Sequence, residues 1–200
     1  MTNLLVTLKQ VLKGGHVTRY HTRPEVSDNQ TVADHTWRAL IILTTLWPSV
    51  KKEALLSLLL HDVAEAELGD VPATAKWNYK NLAEEYARAE ADYTKKMAIN
   101  FPALDLEQHN RSLTPEEKRC IKMSDMLELV LHCKRQMQKG NTLAEEIYER
   151  GIDYLEENFS SYPEYSPVKD VLATLRSSTD HSFIERDRNF VHRERQKLRS

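Results

Sequence analysis

A histidine and an aspartate stand side by side at the end of the most apolar stretch of this sequence. Residues 55–60 are five leucines and one serine, and His61-Asp62 follow directly. A helix that is apolar nearly all round is buried, and burying an ionised Asp beside a His is costly unless something pairs with them. A bound metal ion would satisfy both side chains at once, so the pair indicates metal-dependent chemistry.

Two carboxylates follow the pair within one or two helical turns. Glu65 lies four residues after His61 and three after Asp62, and residues at these spacings are neighbours on one helix face. Asp70 follows Gly69, where the chain can fold back toward the helix end. The spacing therefore predicts that these acids face the same cavity as the pair.

Two further segments offer metal ligands, and each has a simpler interpretation. His35 and Asp125 stand among apolar neighbours, but a lone His on an apolar helix is more often a satisfied core residue. Asp125 could merely pair with Lys122 one turn earlier, and Glu65 and Asp70 could be solvated surface charges. A shared metal site explains all of them together. Two His and two carboxylates suit Zn, Mn, Co or Fe, and some such sites also use Mg.

Helices must position these groups, because glycine is scarce and alternating strand patterns are nearly absent. Thr114-Pro115, followed by Glu117, is a clear helix start, and Gly140 is a helix end. We expect one all-α domain. Its predicted helices span about residues 4–12, 32–47, 51–68, 78–100, 115–139, 141–158 and 168–176, and the third carries His61-Asp62.

The bulk composition fits a single globular domain. The chain has 200 residues, of which 40% are hydrophobic and 29% charged, with a formal net charge of −2. This charge gives no overall attraction to nucleic acid or membrane, so an anionic substrate must meet local cations. The N-terminus does not read as a signal peptide, and no apolar run approaches the roughly 20 residues of a membrane span. We expect a soluble, cytoplasmic protein.

The order His35, His61-Asp62, Asp125 resembles the H…HD…D signature of the HD-domain metal-dependent phosphohydrolases. The stretch from His61 to Glu65, then Gly69-Asp70-Val71-Pro72 and Lys76, is similar to the HDxxE…GDxP…K block of the YfbR-like 5′-deoxynucleotidases. Arg19-Tyr20 and Lys122 also resemble elements of that family. The resemblance covers about residues 4–158 and implies a single HD-domain helical bundle with the metal site between its central helices. We assign that domain to residues 1–180 and a polar tail or helix to residues 181–200.

The resemblance also implies a role for each matching residue. It implies that one divalent ion, Zn, Mn, Co or Mg, is held by four ligands: His35, His61, Asp62 and Asp125. Glu65 and Asp70 would orient or deprotonate the attacking water. The expected substrate-binding residues are Arg19, Tyr20, Trp37, Lys76 and Lys122.

Within the superfamily, Arg19 to Thr22 and His35 to Trp37 look more like short phage hydrolases, one group of which is similar to dATP triphosphohydrolases. We therefore expect a dNTP, first of all dATP, to be hydrolysed to deoxynucleoside and triphosphate by attack at the α-phosphorus. The alternative substrate is a deoxynucleoside monophosphate. Family resemblance also suggests a homo-oligomer.

A non-catalytic HD-like helical adaptor is the alternative from another class, but it predicts the loss of a ligand or of the acid pair, and neither is lost here. The basic tail could be interpreted as a nucleic-acid-binding segment. Acidic residues interleave with its arginines, so we expect a solvated tail and no stable nucleic-acid binding.

Overall fold

The computed structural model describes residues 4–20 and 29–177, and within these ranges the chain is helical with no β-strand. The helices are α1 (Leu4–Lys13), α2 (Val32–Leu46), α3 (Lys52–Leu60), α4 (Glu65–Leu68), α5 (Ala73–Asn78), α6 (Lys80–Asn100), α7 (Leu106–Arg111), α8 (Pro115–Gln138), α9 (Glu145–Phe159) and α10 (Ser166–Ser177). The all-α class expected from the sequence is confirmed. The predicted tail, residues 181–200, lies outside the described residues.

Helix α8 runs through the middle of the hydrophobic core. Its side chains Met123, Leu127 and Val130 are at most 1% exposed, and α2, α3 and α9 all pack against it. The core also holds Leu43 of α2 and Ile152 of α9. Any polar group on the inner faces of α2, α3 or α8 is therefore surrounded by apolar side chains and needs a partner.

The two helices that carry His35 and Asp125 begin at capping boxes. The Thr31 hydroxyl accepts from the Asp34 amide at the start of α2, and the Thr114 hydroxyl accepts from the Glu117 amide at the start of α8. In each box the acidic side chain accepts in return from the threonine amide. The helix start expected at Thr114-Pro115 is confirmed.

The predicted helix over residues 51–68 is wrong in its middle, because α3 ends at Leu60 and α4 begins only at Glu65. The His61 Nδ1 atom lies 2.6 Å from the Leu58 carbonyl oxygen, which in a continuing helix would accept from the amide of Asp62. The backbone then tightens to bonds three residues apart, such as Glu65 N to Asp62 O at 3.0 Å. His61-Asp62 therefore stand in a turn between two helices.

Other boundaries also differ from the prediction. The chain continues past α1 as a 3₁₀ turn over Gly14–His16, and Asn141 caps a 3₁₀ turn rather than α9. Helices α5 and α7 were not predicted, because six-residue helices leave too short a periodic pattern. None of the described helices is long and apolar enough to cross a membrane.

Candidate metal centre and active site

Four predicted ligand atoms meet where α2, α8 and the turn after α3 come together. His35 Nε2 lies 3.2 Å from Asp125 Oδ1 and 3.8 Å from Asp62 Oδ2. His61 Nε2 lies 3.2 Å from Asp62 Oδ2 and 3.9 Å from Asp125 Oδ1. Atoms that share one Zn²⁺ at about 2.0–2.2 Å lie about 3 to 3.6 Å apart, so these spacings are close to those of a single-ion site. Even without Asp125, the side chains of His35, His61 and Asp62 form a group that could hold a metal ion.

Both imidazoles are held from behind through Nδ1, which leaves Nε2 facing the cluster. His61 Nδ1 donates to the Leu58 carbonyl at 2.6 Å, and His35 Nδ1 lies 2.7 Å from Glu128 Oε2. The His35 ring is completely buried, and although Asp125 Oδ1 lies 3.2 Å away, Nε2 makes no hydrogen bond of good geometry in the described structure. A buried polar atom without a partner is costly, and a cation between the four groups would satisfy it. The residues present therefore fit a divalent metal ion.

Opposite charges dominate the electrostatics of the cluster. Burial alone would lower the pKa of His61, but the carboxylates of Asp62 and Asp125 outweigh it and raise that pKa to about 9. Burial would raise the pKa of both carboxyl groups. Instead His61 and Arg19 hold the pKa of Asp62 well below its usual range, and Lys122 with the two imidazoles does the same for Asp125. Both carboxylates are ionised and ready to bind a cation at neutral pH.

A cavity of about 410 Å³ opens beside this cluster. Nine of the eleven predicted site residues line it: Arg19, Tyr20, His61, Asp62, Glu65, Asp70, Lys76, Lys122 and Asp125. His35 lies behind the cavity wall, fully buried.

Trp37 is the one predicted site residue that lies away from both the cavity and the metal cluster. Its side chain is 65% exposed and lines a separate groove of about 240 Å³ with Ile41, Leu131 and Leu175. Residues two apart on a helix point about 200° apart, so a buried His35 turns Trp37 away from the metal centre.

The two predicted acids reach the cavity from either end of the short helix α4. Glu65 is 4% exposed, and its Oε2 has no hydrogen-bond partner in the described structure. Burial, together with the charges of Asp62 and Asp70, raises the pKa of Glu65 to about 8. Gly69 has a φ of +74°, a backbone conformation that strongly favours glycine, and its turn presents Asp70 to the cavity. The Tyr86 hydroxyl donates to the Gly69 carbonyl at 2.5 Å.

Arg19 and Tyr20 lie in a turn directly after Thr18, which forms an antiparallel bridge with Thr31 just before α2. The Arg19 amide donates to the Gln30 carbonyl at 2.9 Å. Tyr20 has a φ of +55°, uncommon for a residue other than glycine, and its amide donates to Asp70 Oδ2 at 3.2 Å. The Tyr20 ring stacks on His132 with 5.1 Å between ring centroids. These contacts fix an arginine and an aromatic ring at the cavity edge.

The two predicted lysines each stand beside a carboxylate. Lys122 Nζ lies 2.7 Å from Asp125 Oδ2, the oxygen not directed at the imidazoles. Lys76 Nζ lies 3.9 Å from Glu90 and 4.2 Å from the centroid of the Tyr86 ring. Both ammonium groups are partly exposed, so both can reach an anion in the cavity.

Sequence reasoning missed several residues that line or support the cavity. Helices α8 and α9 contribute four largely apolar residues to the cavity wall: Met126, Leu129, Ile147 and Tyr154. Their helical spacing resembles ordinary core packing, so no sequence signal singles them out. Glu128 gives a readable signal, because it is a charged residue within the apolar run 126–131, three residues after Asp125.

The sequence matches the YfbR-like 5′-deoxynucleotidase family over residues 16–169. The chain belongs to this family. The match includes every predicted ligand and every other predicted site residue. A search of curated proteins found no match.

Solved structures with the same helical fold include proteins of Listeria innocua, Pyrococcus horikoshii and cyanophage S-2L. An HD-domain phosphohydrolase of Listeria innocua has 18% sequence identity and a TM-score of 0.70, covering 88% of this chain and 90% of that chain. A Pyrococcus horikoshii protein has 21% identity and a TM-score of 0.67, covering 86% and 98%. The HD phosphohydrolase DatZ of cyanophage S-2L, bound to dA and one catalytic Zn²⁺, has 19% identity and a TM-score of 0.63, covering 89% and 99%.

These findings confirm the family and the HD-domain helical fold expected from the sequence. As a member of this family, the present protein is a hydrolase that acts on phosphate esters of deoxynucleotides. The expected divalent-metal cofactor is in accord with the family and with the His/Asp cluster that could hold such an ion.

Proposed function

We propose that this protein is a metal-dependent 5′-nucleotidase that hydrolyses 2′-deoxynucleoside monophosphates to deoxynucleoside and phosphate. The observation that carries the proposal is the joint presence, in one cavity, of a His/Asp metal cluster, a buried acid and an arginine. Family membership supports the same reaction class. The remaining question is how each side chain contributes.

The four residues that would hold the ion are His35, His61, Asp62 and Asp125. A divalent ion bound there lowers the pKa of water and polarises a phosphoryl oxygen. Lys122 fixes Asp125 through its second oxygen, so that Oδ1 stays directed at the two imidazoles. The two Nδ1 contacts described above do the same for the histidine rings.

Glu65 is the group that would take the proton from the attacking water. Its unpaired Oε2 lies in a cavity wall, and its raised pKa makes it a stronger base than an ordinary glutamate. Asp70 would orient the water or the substrate from the opposite side of α4. After bond cleavage the protonated Glu65 could return its proton to the leaving 5′ oxygen.

Arg19 would bind the phosphate, because a guanidinium offers a planar fork of donors to phosphate oxygens. The Tyr20 ring, fixed against His132 beside Arg19, would pack on the deoxyribose and leave no room for a 2′-hydroxyl. Met126, Leu129, Ile147 and Tyr154 give the base an apolar wall. Lys76 and Lys122 would add positive charge around the phosphate.

The charge balance of the cavity favours one phosphate over three. Each of its three basic side chains already has a carboxylate within 4 Å: Arg19 has Asp62, Lys122 has Asp125, and Lys76 has Glu90. Asp70 adds a further negative charge, and so does Glu65 in the deprotonated state in which it would accept a proton from water. A bound divalent ion offsets the two Asp ligands, which leaves the three cations against three carboxylates. A dianionic monophosphate adds less excess negative charge to this cavity than a triphosphate does, so its electrostatic repulsion is smaller.

The second candidate function is that of a dATP triphosphohydrolase, the activity that the sequence alone favours. It is supported by the three basic side chains on a single cavity and by the fold shared with the cyanophage enzyme, which binds dA. In that case water attacks the α-phosphorus and inorganic triphosphate leaves.

Product analysis distinguishes the two candidates. The purified protein is incubated with dAMP, AMP or dATP and with Mn²⁺, Co²⁺ or Mg²⁺, and the released phosphate species are separated by ion exchange. Orthophosphate from dAMP but not from AMP supports the proposal, and triphosphate from dATP with no reaction of dAMP overturns it. Glu65→Gln should abolish turnover, whereas Glu67→Gln, an exposed residue of the same helix, should not.

Two further expectations accompany the proposal. A homo-oligomer is supported by exposed apolar side chains on one face of α2, Trp37 at 65% and Ile41 at 49%. Light scattering of the purified protein would give its mass in solution.

The cytoplasmic location expected from the sequence fits a deoxynucleotide substrate, and fractionation of the source cells would test that location.

A further inference from the structure

A glutamate lies buried behind the metal cluster, out of reach of the substrate cavity. Glu128 on α8 is 1% exposed and stands one helical turn after Asp125. Leu127, Leu129 and Val130 surround it in sequence, and all three are buried. Burying a carboxylate in such a place is costly unless every oxygen has a partner, so its partners indicate its role.

The two oxygens of Glu128 serve different partners. Oε2 lies 2.7 Å from Nδ1 of His35. Oε1 accepts from Gln30 Nε2 at 2.9 Å and lies 3.4 Å from Arg135 Nη2. None of the atoms of Glu128 lines the cavity that holds the predicted site residues. Among the predicted metal ligands, the carboxylate contacts His35.

We infer that Glu128 is a positioning residue for the reaction: it fixes the tautomer and orientation of the metal ligand His35. A carboxylate that accepts from Nδ1–H keeps the proton on that nitrogen, so Nε2 carries the lone pair that a cation needs. The negative charge also makes Nε2 a better donor to a metal. Gln30 and Arg135 hold Oε1, so the carboxylate cannot rotate away from His35.

Gln30 extends this support to the phosphate-binding segment. Its backbone carbonyl accepts from the Arg19 amide, and its side chain, 4% exposed, donates to Glu128. One residue thus holds the Arg19 backbone and, through Glu128, His35. These two hydrogen bonds connect the backbone of Arg19 to the carboxylate that supports His35.

His61 provides a comparison within the same site. Its Nδ1 donates to a backbone carbonyl, that of Leu58, which no side-chain substitution removes. Loss of Glu128 should therefore disturb one imidazole ligand and leave the other in place. A general loosening of the fold would disturb both.

The test measures metal affinity and ring chemistry rather than turnover. Zn²⁺ affinity is determined by competition with a chromophoric chelator for the wild-type protein, Glu128→Gln and Glu117→Gln. Glu117 is the matched control, because it is a buried glutamate on the same helix that caps the helix start and does not contact the cluster. We expect Glu128→Gln to weaken Zn²⁺ binding by about 10- to 100-fold, and Glu117→Gln to change it by less than about twofold.

Histidine ¹⁵N NMR on the Zn²⁺-loaded proteins gives the second measurement. In the wild type we expect His35 and His61 both to be protonated on Nδ1 and bound through Nε2, and only the His35 signals to move in Glu128→Gln. Unchanged Zn²⁺ affinity in that variant, or a wild-type His35 bound through Nδ1, would overturn the inference. If Glu128→Gln does not fold, the wild-type spectrum still decides.

The inference rests on the proposed function in taking His35 as a metal ligand. The two can fail separately, since a wild-type protein without Zn²⁺ affinity contradicts the proposed function itself. A wild type that binds Zn²⁺ as tightly as Glu128→Gln contradicts only the positioning role.

Discussion

Arg19 and Asp62 form a short ion pair at the metal centre, with Nη1 of the arginine 2.8 Å from Oδ2 of the aspartate. That same oxygen lies 3.2 Å from Nε2 of His61 and 3.8 Å from Nε2 of His35. The guanidinium thus contacts the oxygen that would bind the metal ion. In the metal-free protein it supplies part of the positive charge that the ion would provide.

Replacing Arg19 should therefore separate metal binding from turnover. In Arg19→Ala the ion no longer shares the Asp62 oxygen with a guanidinium, so metal affinity should stay the same or increase. The value of kcat/KM should fall by about 100- to 1,000-fold, because a donor to the phosphate is lost. Chelator competition and steady-state kinetics measure the two effects. A parallel loss of both would mean that Arg19 instead organises the metal ligands.

Glu65 should make the metal-free protein less stable at alkaline pH. Its pKa is about 8 in the folded protein because of burial and neighbouring carboxylates, and about 4.3 in an unfolded chain. A carboxyl group with a raised pKa contributes stability that is fully present below the unfolded pKa and is lost as the pH rises through the folded pKa. The wild type should therefore lose stability relative to Glu65→Gln between about pH 4.5 and 8.

Above pH 8 the inactive Glu65→Gln variant should be the more stable protein, by on the order of 1 to 3 kcal/mol. Urea denaturation in the presence of a chelator, at several pH values, measures the difference. Glu67→Gln, on the exposed face of α4, is the control and should follow the wild type. Equal stability of wild type and Glu65→Gln at pH 9 would contradict the raised pKa.

The sequence predicted which residues meet at the cavity better than it predicted the helix boundaries. Candidate metal ligands and acids could be named because buried polar groups are rare and need partners, a constraint visible in residue type and spacing. The turn at His61 was invisible, because it depends on one imidazole bonding the Leu58 carbonyl, whereas the leucines before it favour a continuing helix.

Two positions could have been assigned more accurately from helix geometry. Trp37, two residues from His35, could not share its direction on α2. Glu128, three residues after Asp125, had to share its face. The apolar wall on α8 and α9 is different in kind, because those side chains meet through the packing of two distant helices.

Metal binding should release protons near neutral pH. His61 has a pKa of about 9 in the metal-free protein, since Asp62 and Asp125 outweigh the effect of burial. It is therefore protonated at pH 7.5 and must lose a proton before Nε2 can bind an ion. Titration calorimetry with Co²⁺ in buffers of different ionisation enthalpy should show the release of at least about one proton, that of His61.

The same proton makes metal affinity depend on pH. The affinity for the metal ion should increase by up to about tenfold per pH unit toward pH 9, because the fraction of His61 that must first lose a proton becomes smaller. His109→Gln, a substitution outside the cluster, should leave both the proton count and the pH dependence unchanged. Binding without proton release would mean that His61 is neutral in the metal-free protein.

Gly69 should be required for activity as well as for stability. Its φ of +74° is unfavourable for residues with a Cβ atom, although a Cβ there would meet no atom within 4 Å. Gly69→Ala should therefore destabilise the protein by about 1 to 3 kcal/mol through backbone strain alone. It should also lower kcat, because relief of that strain moves Asp70, which accepts from the Tyr20 amide and lines the cavity.

Gly140 is the matched control, because it has a φ of +94°, equally open space around it and no place in the cavity lining. Gly140→Ala should cost similar stability and leave kcat unchanged at a temperature where both variants are folded. Equal effects of the two substitutions on kcat would show that the turn at Gly69 supports only the fold.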